Sequence, residues 1–281
     1  MARPLSLVVR PEAPERPVFV IGCPRSGTSA LLQVFLRSPE LRTVQLEGHI
    51  LWDAFHPRKH RESDALDAAA VSDRERAYVH LAIRMFARRR FVDKTPENCL
   101  RIPYLDELFP DANFVFLHRD AAENVNSLIE GWRARPRFVT HRLPERLEGI
   151  APLDGNLWSF ALLPEWRELQ RAPLEEICAR QYVVCNEAVL EARTGMATQR
   201  WLDVAYDRLV EAPVDEVRRV FGELGLAVTP EVERYAAELD RRPSGTTLTP
   251  PAPDKWRRQN PELIKRILPL VEETERRLAA L

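Results

Sequence analysis

The segment from Val18 to Ser29 contains the residues that could most directly do chemistry. Its first four residues, VFVI, form a continuous apolar run that is typical of a strand buried on both faces. The next residues, GCPRSGTS, lead into apolar residues at helical spacing. A glycine-bounded turn between a strand and a helix N-terminus offers an anion free backbone N–H groups and the positive end of the helix dipole. The segment therefore predicts a phosphate-binding turn, although two glycines can also simply shape a tight connection.

This phosphate loop, which we define as residues 22–29, has the spacing of a P-loop but lacks the P-loop lysine. Thr28 stands at the position of that lysine, and Arg25 is the only cation inside the loop. A nucleoside triphosphatase uses the lysine on the β- and γ-phosphates and usually holds Mg²⁺ with a carboxylate. A donor with a single bridging anion beside the transferred group needs less positive charge. The loop thus favours transfer from such a donor, and a P-loop kinase or nucleotide hydrolase is the alternative.

The overall composition narrows the class of protein and of partner. With 281 residues, 45% of them hydrophobic and 30% charged, the chain has the composition of a soluble globular protein. A net charge of −1 predicts no nucleic-acid partner and no attraction to a membrane surface. The four cysteines are scattered, which favours a reducing compartment and no metal centre. No segment has the pattern of a signal peptide or a membrane anchor, so a cytoplasmic protein is expected.

Strand-like and helix-like segments alternate along the chain, which predicts an α/β fold with a central parallel sheet flanked by helices. Residues 18–281 are predicted to form one domain, preceded by an extended, proline-containing lead-in over residues 1–17. A long surface loop is predicted over 133–152. Strands are predicted at 18–21, 43–46, 91–92, 114–117 and 201–206. A helix is predicted over 73–89, with a buried stripe formed by Tyr78, Leu81, Ala82, Met85 and Phe86.

Polar residues follow several of these strands at their carboxyl ends, where parallel sheets collect their ligands. Glu47, Lys94 and Arg119 each follow a predicted strand, as the phosphate loop does, and Tyr206 ends one. Each residue taken singly has an ordinary explanation as a solvated loop residue. Taken together, they fit the transfer of a group from an anionic nucleotide to a hydroxyl.

The residue types suit separate parts of that transfer. Glu47 would be the base that removes the acceptor's proton during in-line attack. Arg25 and Lys94 would neutralise charge that develops on the bridging and equatorial oxygens. Arg119 and Ser127 would bind a further phosphate of the nucleotide.

The sequence resembles the sulfotransferases that use 3′-phosphoadenosine 5′-phosphosulfate (PAPS), especially bacterial members related to the tyrosylprotein sulfotransferases. PRSGT at 24–28 is similar to the 5′-phosphosulfate loop of that family. LHRD at 117–120, followed by Ser127, is similar to its 3′-phosphate motif. DKTP at 93–96 resembles the segment that supplies a transition-state lysine, and LEG at 46–48 falls where the tyrosylprotein branch keeps a catalytic glutamate.

Two later segments extend the resemblance over most of the chain. VAYDRLV at 204–210 is similar to a stretch whose tyrosine lies near the adenosine, and DKW at 254–256 is similar to one whose lysine closes over the cofactor. The resemblance implies release of adenosine 3′,5′-bisphosphate (PAP), no metal, and a hydroxyl or phenol acceptor. It implies catalytic roles for Glu47, Lys94 and Arg25. The cofactor contacts that it implies are Arg25, Ser26, Gly27, Thr28, Ser29, Arg119, Ser127, Tyr206 and Lys255.

Several alternatives remain beside these assignments. Many cytosolic sulfotransferases use a histidine base, and His49 and His56 lie near Glu47 in the chain. Any one of Ser244, Thr246 and Thr247 is a candidate cofactor contact in a proline-punctuated loop. The tyrosylprotein enzymes are membrane-anchored and this sequence predicts no anchor, so a tyrosine substrate does not follow. A non-catalytic nucleotide-binding protein is the remaining alternative in function.

Overall fold

The computed structural model describes residues 14–44, 48–87, 89–239, 241, 244–250 and 252–281. Its strands are β1 (Val18–Ile21), β2 (Leu41–Arg42), β3 (Arg90–Asp93), β4 (Asn113–His118), β5 (Val139–Leu147), β6 (Gly155–Ser159) and β7 (Trp201–Ala205). Five of these strands form a parallel sheet in the order β2-β3-β1-β4-β7. Strands β5 and β6 form a separate antiparallel pair.

Helices cover both faces of the parallel sheet. They are α1 (Thr28–Phe35), α2 (His49–Asp53), α3 (Asp73–Phe86), α4 (Ile102–Leu108), α5 (Ala121–Arg133), α6 (Leu174–Thr194), α7 (Tyr206–Glu211), α8 (Pro213–Glu223), α9 (Pro230–Ala236), α10 (Lys255–Gln259) and α11 (Pro261–Leu278). One face packs against α2 to α6, α11 and the β5-β6 pair, and the other packs against α1 and α7 to α9. The prediction of a central parallel sheet flanked by helices is confirmed.

The central strands are apolar on both sides because each side meets its own core. In β1, Phe19 and Ile21 enter one core, whereas Val18 and Val20 enter the other. Successive side chains of a strand point to opposite faces, so a strand between two helical layers needs an unbroken apolar run. Among the described residues, no helix combines the length and the apolar character that crossing a membrane requires.

The second predicted strand is misplaced. The strand that pairs with β3 is Leu41–Arg42, and Thr43 and Val44 lie outside any strand. Gln45, Leu46 and Glu47 lie outside the residues that the structure describes, as do residues 1–13 of the predicted lead-in. The error arises because β2 is an edge strand of two residues, too short to show a period of its own.

The predicted buried stripe of α3 is wrong. Tyr78, Leu81, Met85 and Phe86 are between 46% and 68% exposed, and of the predicted stripe only Ala82 is buried. The buried face of α3 also contains two polar residues, Glu75 and His80. Glu75 accepts a hydrogen bond from the Tyr104 hydroxyl at 2.5 Å, and His80 Nε2 lies 2.9 Å from the Leu108 carbonyl oxygen. These partners lie on α4. Because Val79, Ala82 and Ile83 form a second apolar stripe on α3, its sequence alone does not reveal which face is buried.

The segment predicted as a surface loop over 133–152 contains one strand of the antiparallel β5-β6 pair. Strand β5 runs through that region and pairs with β6, with Val139 opposite Ser159 and His141 opposite Trp158. The alternation of buried and exposed residues along β5 is interrupted by three successive exposed residues, and the pairing is irregular. Periodicity alone therefore gives a weak strand signal here.

Candidate functional site

A cavity of about 410 Å³ opens at the carboxyl ends of the parallel strands. Its walls are formed by the phosphate loop after β1, Lys94 after β3, Arg119 after β4 and Tyr206 after β7. Six arginine or lysine residues and three glutamates line it among the described residues. The six cations are Arg25, Arg58, Lys94, Arg119, Arg137 and Lys255. The excess of positive charge favours an anionic ligand.

The phosphate loop requires its two glycines. Gly22 has φ +156°, and a Cβ there would lie 2.2 Å from the Leu117 carbonyl oxygen. Gly27 has φ +112°, and a Cβ there would lie 2.7 Å from the Tyr206 ring. Between them, Ser26 is buried within the turn, and it is not among the residues that line the cavity. Its neighbours Arg25, Gly27, Thr28 and Ser29 all line the cavity.

Arg25, within the phosphate loop, contacts Ser127 of helix α5, the Thr246 carbonyl and the ring of Phe138. Its Nε donates to the Ser127 hydroxyl at 3.2 Å, and its Nη1 donates to the Thr246 carbonyl at 2.6 Å. Its guanidinium lies over the Phe138 ring, 4.9 Å from the centroid. Burial, together with repulsion from Arg119 and Arg137, lowers the pKa of Arg25 to about 10. An anion bound beside Arg25 would offset that repulsion.

Arg119 lies next to Arg25 and faces the same cavity. Its Nη1 donates to the Arg25 carbonyl at 3.3 Å, and its Nη2 donates to Glu123 Oε2 at 3.1 Å. Its guanidinium stacks on the Tyr206 ring, 4.2 Å from the centroid. The Asp120 side chain accepts a hydrogen bond from the Glu123 backbone N–H and thereby caps the start of α5, which carries Ser127. The structure thus brings both predicted phosphate motifs to one cavity.

Asp93, which sequence reasoning did not single out, organises the opposite wall of the cavity. Its buried carboxylate accepts hydrogen bonds from the Gly48 backbone N–H at 2.5 Å, from Asn98 Nδ2 at 2.7 Å and from the Thr95 hydroxyl at 3.3 Å. These bonds join the residue before Lys94 to the residue after Glu47. Lys94 lines the cavity and is 4% exposed. Glu47 itself lies outside the described residues.

The structure separates the two candidate histidines. His49, at the start of α2, lines the cavity. His56 is not among the lining residues, and its Nε2 lies 3.0 Å from a carboxylate oxygen of Glu75. The ring of His56 also packs edge-on against Tyr104, at a centroid distance of 5.6 Å. His56 therefore belongs to the buried contact between α3 and α4 rather than to the cavity.

The loop that contains residues 244–249, here called the late loop, covers one side of the cavity. Ser244, Thr246 and Thr247 all line it, and the Ser244 hydroxyl lies 3.0 Å and 3.1 Å from the two threonine hydroxyls. Lys255 also lines the cavity, and its Nζ donates to the Thr249 hydroxyl at 2.8 Å. Burial and the nearby Arg119 lower the pKa of Lys255. The sequence offered the three hydroxyl residues as alternatives, and the structure places all three at the cavity.

Residues 137–140 and Phe160, at the ends of β5 and β6, form a further wall of the cavity. They lie within the segment 133–160, whose mixture of aromatic residues and arginines predicts the lining of an acceptor pocket. Phe138 and Phe160 stack with ring centroids 5.2 Å apart, and both line the cavity. Arg137 donates through Nη2 to the Gly245 carbonyl at 2.5 Å and so joins this wall to the late loop. Spacing along the chain carries no signal for these contacts, since 108 residues separate Arg137 from Gly245.

Replacement of Gly27 by alanine should weaken PAP binding about tenfold or more. The new Cβ would lie too close to the Tyr206 ring, and alanine would have to adopt the positive φ of Gly27, which costs a residue other than glycine about 1–3 kcal/mol. Isothermal titration calorimetry with PAP measures the effect. Gly222→Ala is the matched control, because nothing lies within 4 Å of a Cβ at that helical position. Equal PAP affinity in both variants would contradict a role for the loop in anion binding.

Comparison with known proteins identifies related sequences. A family model described as "Sulfotransferase family" matches residues 17–142. A putative protein-tyrosine sulfotransferase of Caenorhabditis briggsae is 23% identical over 236 residues, which cover 80% of this chain and 72% of that protein. Protein-tyrosine sulfotransferase 2 of Gallus gallus is 26% identical over 244 residues, which cover 83% of this chain but only 57% of that protein. The chain thus spans only part of the length of these curated relatives.

Solved structures with the same fold are also sulfotransferases. A sulfotransferase from Mycobacterium avium aligns with 93% of this chain and 76% of its own, at 17% identity and a TM-score of 0.58. A mouse sulfotransferase complexed with PAP aligns with 94% of this chain and 85% of its own, at 12% identity and a TM-score of 0.55. The resemblance to the sulfotransferase family is therefore confirmed by the family model over residues 17–142, and the solved structures share the fold over most of the chain.

Proposed function

We propose that this protein transfers a sulfuryl group from PAPS to a hydroxyl or phenol oxygen of an acceptor. The observation that carries the proposal is the pairing of Arg25 and Arg119, which leave different strands, line one cavity and touch through a hydrogen bond of 3.3 Å. A nucleotide phosphorylated at both its 3′ and 5′ positions presents two anionic groups to such a pair. The PAP bound to the mouse sulfotransferase is a nucleotide of this kind.

The donor site in this proposal uses residues that follow three strands, β1, β4 and β7, together with residues of α5 and α10. The backbone N–H groups of residues 27–29 and the hydroxyls of Thr28 and Ser29 hold the 5′-phosphosulfate, with Arg25 beside them. Arg119 and Ser127 hold the 3′-phosphate, and Tyr206 packs near the adenosine. Lys255 closes the site from the opposite side. The direct bond between Arg25 and Ser127 supports this arrangement, because it joins the two phosphate motifs.

The transfer step follows from the proposed roles. Glu47 accepts the proton of the acceptor hydroxyl as the acceptor oxygen forms a bond to sulfur. The bond from sulfur to the bridging oxygen of the 5′-phosphate breaks, and PAP leaves with that electron pair. Lys94 and Arg25 stabilise the negative charge that grows on the bridging oxygen. The buried position of Lys94 strengthens this interaction, since little water screens it.

A neutral acceptor suits the remaining walls of the cavity. Phe138 and Phe160 offer an apolar surface on which a phenol ring or an alkyl chain can pack. The nearby cation Arg58 is already compensated, with its Nε 3.2 Å from Asp53 Oδ2 and its Nη2 3.8 Å from Glu97 Oε1. Arg58 therefore does not require an anionic group on the acceptor.

Calorimetry with two nucleotides tests the proposed donor. PAP is expected to bind at least about tenfold more tightly than ATP with Mg²⁺, because two of the cavity's arginines serve the two ends of PAP. Adenosine 5′-monophosphate, which lacks the 3′-phosphate, serves as the matched ligand control and should bind more weakly than PAP. Preference for ATP with Mg²⁺ would instead support a P-loop kinase or hydrolase.

Turnover of radiolabelled PAPS tests whether the protein is a catalyst. Transfer of label to one of a panel of phenols, alcohols and sugars is the expected result. If the protein binds PAP tightly but neither transfers label to an acceptor nor slowly hydrolyses PAPS, it is a nucleotide-binding protein without sulfotransferase activity.

A further inference from the structure

The exposed side of α3 is apolar, although the other side of the helix already packs into the core through Val79, Ala82 and Ile83. The large apolar residues on the exposed side, here called the α3 apolar face, are Tyr78, Leu81, Met85 and Phe86. Among the described residues, four of the eight large hydrophobic side chains that are exposed belong to this face. Single exposed apolar side chains are ordinary, but a cluster of them marks an interaction surface.

The residues of the α3 apolar face are neighbours on the surface of the helix. Tyr78, Leu81 and Met85 are spaced by three and four residues, so their side chains lie on the same side. Phe86 follows Met85 as the last residue of the helix. Near the start of the face, the Tyr78 ring packs against the ring of Phe55, with the centroids 5.4 Å apart. The apolar surface therefore extends from Phe55 to the end of α3.

Arginines accompany the end of this face. The sequence RMFARRR at 84–90 contains four arginines and no acidic residue, and within it Arg84 and Arg89 are exposed. At the other end of the helix, the exposed Asp73 and Arg74 offset each other in charge. The whole chain has a net charge of −1, so the excess of positive charge here is local. Apolar residues interleaved with arginines on a helix are typical of binding to an anionic membrane surface.

A second copy of this chain suits the face less well than a lipid surface does. A two-fold pair of molecules centred on Met85 and Phe86 would bring Arg84 and Arg89 of one copy near the same arginines of the other. Like charges that face each other across an interface cost free energy. The phosphates of an anionic bilayer would instead attract these arginines. Charge complementarity therefore favours a lipid surface.

Residues 49–58 join the α3 apolar face to the cavity. Besides the ring contact with Tyr78, this segment contacts α3 through His56, whose Nε2 lies 3.0 Å from Glu75 Oε1. His49 and Arg58 of the same segment line the cavity. A surface that binds α3 would therefore lie beside a segment that forms part of the cavity wall.

We propose that the α3 apolar face docks this protein on an anionic phospholipid bilayer. Met85 and Phe86 enter the boundary between headgroups and acyl chains, and Arg89 binds lipid phosphates. The docking is peripheral, because it uses one side of a helix whose other side remains in the core. This inference goes beyond the proposed function and does not depend on it, since it involves neither the donor nor the acceptor.

Co-sedimentation with lipid vesicles tests the proposal in the absence of nucleotide. One set of vesicles contains phosphatidylcholine alone, and the other contains phosphatidylcholine mixed with phosphatidylglycerol. The protein should bind the mixed vesicles at least about tenfold more tightly, because several arginines contribute to the attraction. Added salt should weaken the binding, since it screens charges at a membrane surface.

Surface variants test whether α3 is the part that binds. Met85→Ser combined with Phe86→Ser should weaken binding to the mixed vesicles at least about tenfold, because both apolar side chains are lost from the bilayer. Leu268→Ser combined with Leu270→Ser is the matched control, since these two leucines are exposed on α11, and its affinity should stay within about twofold. Arg89→Gln should weaken binding to the mixed vesicles about fivefold.

Thermal unfolding shows whether the variants keep their stability, which is expected because all the changed side chains are exposed. If the Met85 and Phe86 variant is unstable, Arg89→Gln carries the test alone. Absence of binding to the mixed vesicles would overturn the inference, as would equal binding by the unchanged protein and the α3 variants. A dimer in solution that Met85→Ser with Phe86→Ser disrupts, without vesicle binding, would assign the face to a second copy and also overturn it.

Discussion

Replacement of Glu47 by alanine should lower kcat by a factor of roughly 10² to 10⁴, the usual contribution of a general base. The residue that follows it, Gly48, is bound through its N–H to Asp93, and the residue after Asp93 is Lys94 at the cavity. The hydrogen bond between Gly48 and Asp93 thereby joins the segment of Glu47 to the segment of Lys94. These two residues are proposed to act on opposite sides of the transferred group. Loss of the carboxylate removes the proton acceptor and should leave this backbone contact intact.

The measurement is sulfuryl transfer from labelled PAPS at saturating donor. PAP affinity of Glu47→Ala should stay within about twofold of the unchanged protein, which separates catalysis from donor binding. His49→Ala is the comparison variant, because His49 lines the cavity and is the competing base. A rate that survives Glu47→Ala but is lost in His49→Ala would assign the base to His49 instead.

Replacement of Lys94 by methionine should lower kcat by roughly 10² to 10³, the effect of removing one charged group that stabilises a developing oxyanion. Methionine preserves most of the length and the packing of the lysine stem. The effect should be large because Lys94 is 4% exposed, so that water cannot replace the lost charge. The change should appear in kcat at saturating PAPS rather than in KM.

Lys59→Met is the control for this second variant. Lys59 lies on the exposed surface of the 58–60 segment and is not among the residues that line the cavity. Its kcat should remain within about twofold. If Lys94→Met lost PAP affinity and kept its kcat, Lys94 would be a ground-state contact to the donor rather than a stabiliser of the transition state.

Local sequence was sufficient for the features whose physical cause is local. An apolar run such as 18–21 predicts a strand between two helical layers, because both faces of such a strand are buried away from water. The glycines of the phosphate loop indicate backbone conformations with positive φ, which residues that have a Cβ avoid. The order of strands and polar residues along the chain then placed Lys94, Arg119 and Tyr206 at one edge of a parallel sheet.

Other features depend on partners distant in the chain. The buried face of α3 combines the apolar residues Val79, Ala82 and Ile83 with polar residues that bond to α4. The apolar residues Leu81 and Met85 lie on the exposed side. The strand β5 is recognised only through its pairing with β6. For the same reason, the sequence did not reveal that Phe138 stacks on Phe160, and it did not distinguish His49 from His56.

The sequence by itself determined the class of fold, the phosphate loop and the identity of the main cations of the site. Only the tertiary structure decided which side chains meet, because a contact such as that of Arg25 with the Thr246 carbonyl joins residues 221 positions apart. Backbone conformation and burial on both faces of a strand restrict the residue types at adjacent positions, so they can be read from the sequence. The pairing of two polar groups from distant segments imposes no pattern on the residues next to them.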